Sequence, residues 1–130
     1  MKQLIIPSRH IIYSKEQYEA LKTHLSEHQY EKLIFVVTSS NLNNCKYSPI
    51  ALSYRIMMIM SLVFELKKQF SFSYSIVCLP HYNQIENFVD KIIKTITFEY
   101  HQDVSKETTE VFCFGAYIGK LFEDSGYITY

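Results

Sequence analysis

An apolar helix in the middle of the chain limits what the sequence can fold into. From Ile56 to Phe64 every residue except Ser61 is apolar, so few positions of this helix could face water. Ser48 is a good N-cap residue and Pro49 suits the first helical position, so we expect the helix to begin there. The apolar run is shorter than the about 20 residues that a membrane span requires. The sequence therefore predicts a helix that is packed inside a globular domain, against a sheet.

Five side chains of this helix are predicted to be largely buried: Ile56, Ile59, Met60, Val63 and Phe64. Arg55 is charged and stands at the start of the apolar run. A buried helix could hold its guanidinium beside the helix N-terminus, where it would be a candidate for binding a phosphate. The alternative is that Arg55 forms an ion pair with Glu16 or Glu19, which lie on another predicted helix.

Length, charge and cysteine usage exclude several classes of protein. The 130 residues fit a single domain, 1–130, that is long enough for a hydrophobic core. Lys plus Arg and Asp plus Glu both number 13, so the net charge is zero and neither a nucleic-acid surface nor a basic membrane-binding patch is indicated. The three cysteines are far apart and lack metal-site spacing, which is typical of reduced thiols in a cytoplasmic protein.

Apolar runs that predict strands alternate with stretches that predict helices. The strands are expected near residues 2–7, 32–38, 72–79, 110–114 and 127–130. The helices are indicated by a capping box at Ser14–Gln17, by apolar residues at helical spacing from Ile85 to Ile96, and by Tyr117–Asp124, which Gly126 should stop. This alternation predicts an α/β fold whose mostly parallel sheet carries helices on both faces.

In a parallel sheet of this kind, ligands bind at the carboxyl ends of the strands, near the switch in strand order. Three loops should meet there, at residues 8–14, 38–41 and 114–117. Helix N-termini at Ser14 and Tyr117 would favour an anion, and Arg9 and His10 would add positive charge. The opposing hypothesis is that bulky side chains such as Phe114 fill the crevice.

Each candidate residue also has a structural interpretation. Arg9 and His10 could belong to a solvated loop, and Gly115 could be required for backbone shape rather than for binding. His24 and His28 lie four residues apart and could bind a metal on one helix face. No third ligand is apparent, so we interpret both histidines as part of a solvated helix surface and predict no metal site.

Several segments resemble archaeal-type nicotinamide mononucleotide adenylyltransferases, which belong to the nucleotidylyltransferase superfamily. Ser48–Ile59 is similar to the family's Asn-Pro-Phe-Thr-x-x-Glu-Arg-x-x-Met-Ile run, and Leu33–Asn41 to its strand that ends in Gly-Ser. Ile76–Pro80 resembles its third strand, and Val111–Tyr130 its strand, Ser-Gly-Asn turn and Leu-Phe-x-x-x-Gly-Tyr segment.

The resemblance implies a Rossmann-like three-layer domain that binds nucleotides. The implied activity is adenylyl transfer from ATP to nicotinamide mononucleotide with Mg²⁺, a step of NAD biosynthesis, in a chain that could form a homo-oligomer. His10 would be the catalytic residue that replaces a family histidine. The implied nucleotide-binding residues are Arg9, Ser14, Lys15, Ser39, Arg55, Gly115 and Tyr117.

The departures from the family pattern predict weakened or lost catalysis. Ser14–Gln17 stands near the place of the family's His-x-Gly-His, Ala116 replaces the asparagine of the Ser-Gly-Asn turn, and the chain has no tryptophan to stack on nicotinamide. The family's later phosphate motif would follow Tyr130, so the chain is expected to be a fragment or to have lost that part. The alternative function is a non-catalytic structural or protein-interaction domain that keeps only the fold.

Overall fold

A computed structural model of the protein describes residues 2–8, 14–38, 52–79 and 88–130. The strands are Gln3–Ser8 (β1), Lys32–Val37 (β2), Ser73–Cys78 (β3), Thr109–Val111 (β4) and Ile128–Thr129 (β5). The helices are Lys15–Glu27 (α1), Leu52–Leu66 (α2), Phe88–Lys94 (α3) and Ala116–Asp124 (α4). A π-helical turn, Thr95–Glu99, continues α3.

The five strands form one sheet in the order β3-β2-β1-β4-β5. All four strand pairs are parallel. The chain builds the sheet outward from β1 to β3 and then returns to the other side of β1 to add β4 and β5. The strand order therefore reverses between β1 and β4, as in a Rossmann-like fold. The predicted α/β architecture with a mostly parallel sheet is confirmed.

The helices pack on both faces of the sheet. Successive side chains of a strand point to opposite faces, so each buried strand contributes to both layers. In β2, Leu33 and Phe35 join a core with α1 and α2, whereas Ile34 and Val36 join a second core with α3 and α4. This explains why β2 is apolar at nearly every position. The structure is a three-layer sandwich with a separate hydrophobic core on each side of the sheet.

Pro7 lies inside β1 although β1 is a central strand and proline cannot donate to a strand ladder. The amide of Gln3 donates to Thr108, and the carbonyl of Ile5 accepts from Phe112, so the odd-numbered residues of β1 bond toward β4. Pairing with β4 runs only as far as Ile5 opposite Val111. Pro7 therefore lies where β1 has already parted from β4, and its missing N–H costs no ladder bond there.

Two of the caps that the sequence predicts are present, at the start of α1 and after α4. Ser14 is the N-cap of α1 and forms a capping box with Gln17, in which each side chain bonds the backbone amide of the other. Gly126 follows α4 with a φ of 93°, a left-handed conformation that favours glycine. The predicted start of α2 at Ser48 and Pro49 and the predicted start of α3 at Ile85 lie outside the described residues.

The prediction for the burial of α2 is only partly right. Ile59 and Val63 are buried and Ile56 is half-buried, but Met60 and Phe64 are exposed. In a three-layer sandwich each helix contacts the sheet along one side only, so a helix that is apolar all round leaves apolar side chains on its outer side. None of the helices in the described part of the chain is long and apolar enough to cross a membrane.

Candidate functional site

The predicted crevice would lie where β1 and β4 part, but residues 9–13 and 39–41 of its predicted loops lie outside the described residues. β1 continues to Ser8 while β4 ends at Val111, and the chain then runs through Phe112 to Phe114 into α4. Because the helices run antiparallel to the strands in a parallel α/β sheet, α1 and α4 both begin at this carboxyl edge. The strand-order switch and two helix N-termini therefore coincide at one edge of the sheet.

The first turn of α4 presents its backbone amides at this edge of the sheet. Gly115 is its N-cap, and no side chain caps the first turn among the described residues. Gly115 has an extended backbone with a φ of −116°, which any residue can adopt. A Cβ atom built at Gly115 would meet no heavy atom of the described residues within 4 Å. An extended backbone does not require glycine, so the interpretation that Gly115 is required for backbone shape is wrong, and no described residue fills the space next to it.

The N-terminus of α1 is partly satisfied by its own capping box. The hydroxyl oxygen of Ser14 accepts the amide of Gln17 at 3.1 Å, and the Gln17 side chain accepts the amide of Ser14 at 3.1 Å. Lys15 lies in the first turn and is exposed. Counting only bonds among the described residues, α4 therefore has more unsatisfied amides for an anion than α1.

Arg55 is fully buried, although it is charged. Its Nη1 donates to the carbonyl oxygen of Thr38 at 3.1 Å, directly after the end of β2. Burial raises the pKa of the Cys78 thiol at the end of β3, and the positive charge of Arg55 opposes that rise. The guanidinium thus lies at the carboxyl ends of β2 and β3, whereas Glu16 and Glu19 are exposed on α1.

Aromatic side chains border the crevice on the β4 side. The rings of Phe112 and Phe114 meet edge to face with their centroids 5.3 Å apart, and Phe114 packs against the core under α1 and α2. Phe114 is half-buried, so its ring occupies part of the space that a smaller residue would leave. Tyr117, in the first turn of α4, is exposed and free to stack on a planar group.

The remaining predicted site residues lie outside the described residues. These are the catalytic candidate His10 and the binding candidates Arg9 and Ser39. The described candidates Gly115, Tyr117, Ser14 and Lys15 share the carboxyl edge of β1 and β4, and Arg55 lies on its β2 side.

A second polar cluster was missed by the sequence analysis and lies between α1 and the sheet, near the amino ends of the strands. The Tyr30 hydroxyl donates to Oε1 of Glu110 at 2.6 Å, and Nε2 of His24 lies 2.7 Å from the same hydroxyl. Lys2 approaches the other carboxylate oxygen of Glu110 at 3.4 Å. His24 is buried, so its interpretation as solvated surface is wrong. We call His24, Tyr30 and Glu110 the buried triad.

The buried triad has a fixed direction of donation. Because the Tyr30 proton is used for Glu110, Nε2 of His24 must carry a proton and donate it to Tyr30. Burial, and to a lesser extent the charge of the neighbouring His28, lower the pKa of His24 to about 4. Burial opposes ionisation of Glu110, but the hydrogen bond from Tyr30 and the charge of Lys2 outweigh it, so the Glu110 pKa is lowered. At neutral pH the triad therefore holds a neutral imidazole and an ionised carboxylate.

No residue spacing could have revealed this triad, since His24 and Glu110 are distant in the sequence and meet only through the fold. The described residues contain no group of three His, Cys, Asp or Glu side chains that could hold a metal ion.

Comparison of the chain with known protein families gave no match, and comparison with curated proteins gave none either.

Proposed function

We propose that this chain is a nucleotide-binding domain that holds a phosphate group at the N-terminus of α4. The observation that carries the proposal is the first turn of α4 at Gly115, which no described residue caps or covers and which is located where β1 and β4 part. Backbone amides at a helix N-terminus donate to anions, and the helix dipole favours negative charge there. The parting of β1 and β4, the backbone amides of α4 and the side of Gly115 that no described residue covers thus lie at one point of the sheet edge.

The neighbouring side chains suit the rest of a nucleotide. Tyr117 offers an exposed ring on which a base could stack, and Lys15 offers an exposed ammonium group at the same edge. Arg55 adds positive charge from the β2 side without leaving the core. Together with the resemblance to nicotinamide mononucleotide adenylyltransferases, these features support ATP as the first ligand to test.

We further propose that the domain derives from an adenylyltransferase and catalyses adenylyl transfer weakly or not at all. Adenylyl transfer depends on positive groups that stabilise charge on the transferred phosphate. Ser14 and Gln17, which stand near the family's histidine motif, use their side chains to cap α1 instead. With ATP, Mg²⁺ and nicotinamide mononucleotide we expect little dinucleotide product. Rapid turnover that is lost in His10→Ala would contradict this and assign the catalytic role to His10.

A substitution at Gly115 should change ATP affinity and the free energy of unfolding in opposite directions, so the two effects can be told apart. Gly115→Asp should place a carboxylate over the first turn of α4, which caps the helix and raises the free energy of unfolding by up to about 1 kcal/mol. The same carboxylate should repel a phosphate and weaken ATP binding by about tenfold or more. Calorimetric titration with ATP and thermal unfolding measure the two effects on one sample.

The matched variant is Gly115→Ser, which caps the helix without adding charge and should weaken ATP binding less than the aspartate does. Tyr117→Ala should also weaken binding, whereas Phe98→Ala, an exposed aromatic on another element, should not. If Gly115→Asp stabilised the domain and left ATP affinity unchanged, the phosphate would not lie at α4.

A further inference from the structure

The outer side of α2 is apolar, whereas the outer side of α1 is polar. Tyr54 is 62% exposed, Met57 59%, Met60 51% and Phe64 68%. We call these four side chains the α2 outer face. By contrast, the exposed residues of α1 are Lys15, Glu16, Glu19, Ala20, Thr23, Ser26 and Glu27. α2 therefore departs from the pattern that a solvated helix of this same chain follows.

We propose that the α2 outer face is the interface through which two copies of this chain form a symmetric dimer. Its four side chains, each of roughly 200 Å² and half to two-thirds exposed, offer on the order of 450 Å² of surface. A stable dimer buries about 800 Å² per subunit, so this face would supply more than half of it as the apolar centre. Aromatic residues and methionine are the types enriched at such centres.

The charges around the face favour a second copy over a charged partner. Glu65 and Lys68 form an ion pair with each other at 3.1 Å, and the Nζ of Lys68 lies 5.2 Å from the centroid of the Phe64 ring. The rim thus has no strong excess of one sign, and the whole chain has zero net charge, so two copies would not repel. A helix that lies on a membrane surface usually has a strongly basic polar face, which this rim lacks.

The spacing of residues in the α2 outer face also allows two copies of the face to pair across a two-fold axis. Met57 and Phe64 are seven residues apart, so they lie on one line along the outer side, about 10 Å apart. In an antiparallel pair of α2 helices whose two-fold axis passes between Met60 and Ser61, Met57 lies level with Phe64 of the partner subunit. By symmetry this contact forms twice. A thioether against an aromatic ring is a favourable contact, and the small Ser61 at the centre allows the helices to approach.

The test is the mass of the full chain in solution, measured by sedimentation equilibrium over a wide range of concentration. We expect association to twice the 15.4 kDa chain mass. Phe64→Glu should weaken association at least about 100-fold, because the change enters the interface twice. Phe98→Glu, a matched change of an exposed aromatic on the other side of the sheet, should leave the dimer intact.

Opposite charges introduced at Met57 and Phe64 test whether these two side chains meet across the interface. Met57→Lys alone and Phe64→Glu alone should each be monomeric, while an equimolar mixture of the two should form a heterodimer in which the lysine of one chain meets the glutamate of the other. A chain that stays monomeric at all concentrations overturns the proposal, as does a dimer that Phe64→Glu leaves unchanged. Binding of the monomer to neutral phosphatidylcholine vesicles that Phe64→Glu abolishes would overturn it in favour of a lipid surface. ATP affinity at the α4 site is a separate measurement, so failure here leaves the proposed function standing.

Discussion

Replacing Ile59 with aspartate is expected to unfold the domain or to lower its free energy of unfolding by about 4–5 kcal/mol. Ile59 is 0% exposed and lies in the core between α2 and the sheet. An aspartate there would have to be desolvated without a partner or take up a proton, and either outcome costs free energy. Since small domains are stable by about 5–15 kcal/mol, urea unfolding should show most of the stability lost.

The matched control is Phe64→Asp, one and a half turns further along the same helix and exposed. Both variants remove a large apolar side chain and add one negative charge, so they differ mainly in burial. Phe64→Asp should change the stability of the monomer by less than about 1 kcal/mol. The comparison should be made at low protein concentration, because association also stabilises the folded state. Equal losses in the two variants would mean that α2 is placed incorrectly on the sheet.

The fold could be predicted because local patterns specify it. Lys32–Val37 is apolar at nearly every position since both faces of β2 are covered, and the capping box at Ser14 and Gln17 marks the start of α1. The order of strands could not be read from these patterns. It follows from how the crossovers pack, and it decides where β1 and β4 part.

The site was predicted less completely, because it depends on what surrounds each residue. The sequence could place Gly115 after a strand and before a helix, but it could not indicate that none of the described residues would contact a side chain at that position. Helical spacing indicated which side chains of α2 share a side, yet it could not tell which side the sheet covers when both are apolar. For that reason Phe64 was expected inside and is found outside. His24 was assigned to the surface because its partners come from distant segments.

The buried triad should contribute strongly to stability through Tyr30, which bonds both other members. Tyr30→Phe keeps the ring but removes the donor for Glu110 and the acceptor for His24. His24 would then lose its acceptor and Glu110 would lose its donor from Tyr30, although Lys2 would remain beside it, and a loss of about 2–3 kcal/mol is expected at pH 7. Tyr74→Phe, in the half-buried part of the same core, is the matched control and should cost less than about 1 kcal/mol.

Stability should fall as the pH is lowered from about 6.5 to about 4, because His24 must then take up a proton on unfolding. The groups that face His24 are His28, Tyr30, Glu110, Lys2 and Tyr130. The unfolded imidazole has a pKa of 6.5 and the folded one a pKa of about 4, so within that window the unfolded state binds more protons. The contribution of His24 is complete above pH 6.5 and lost below pH 4, and it amounts to about 3 kcal/mol.

The carboxylate of Glu110 also makes the free energy of unfolding fall as the pH is lowered, but at lower pH than His24 does. Its folded pKa lies below the usual 4.5, so its contribution is present above that value and is lost as the pH falls through the folded pKa. Glutamine can still donate to Tyr30 but does not titrate. His24→Gln should therefore reduce the fall in the free energy of unfolding between pH 6.5 and 4, while the fall at lower pH that Glu110 causes should remain. Urea unfolding of wild type and His24→Gln across pH 4 to 7.5 measures the difference, in which the titration of the other histidines cancels. Parallel curves for the two proteins would show that His24 is not buried as a neutral donor in the triad.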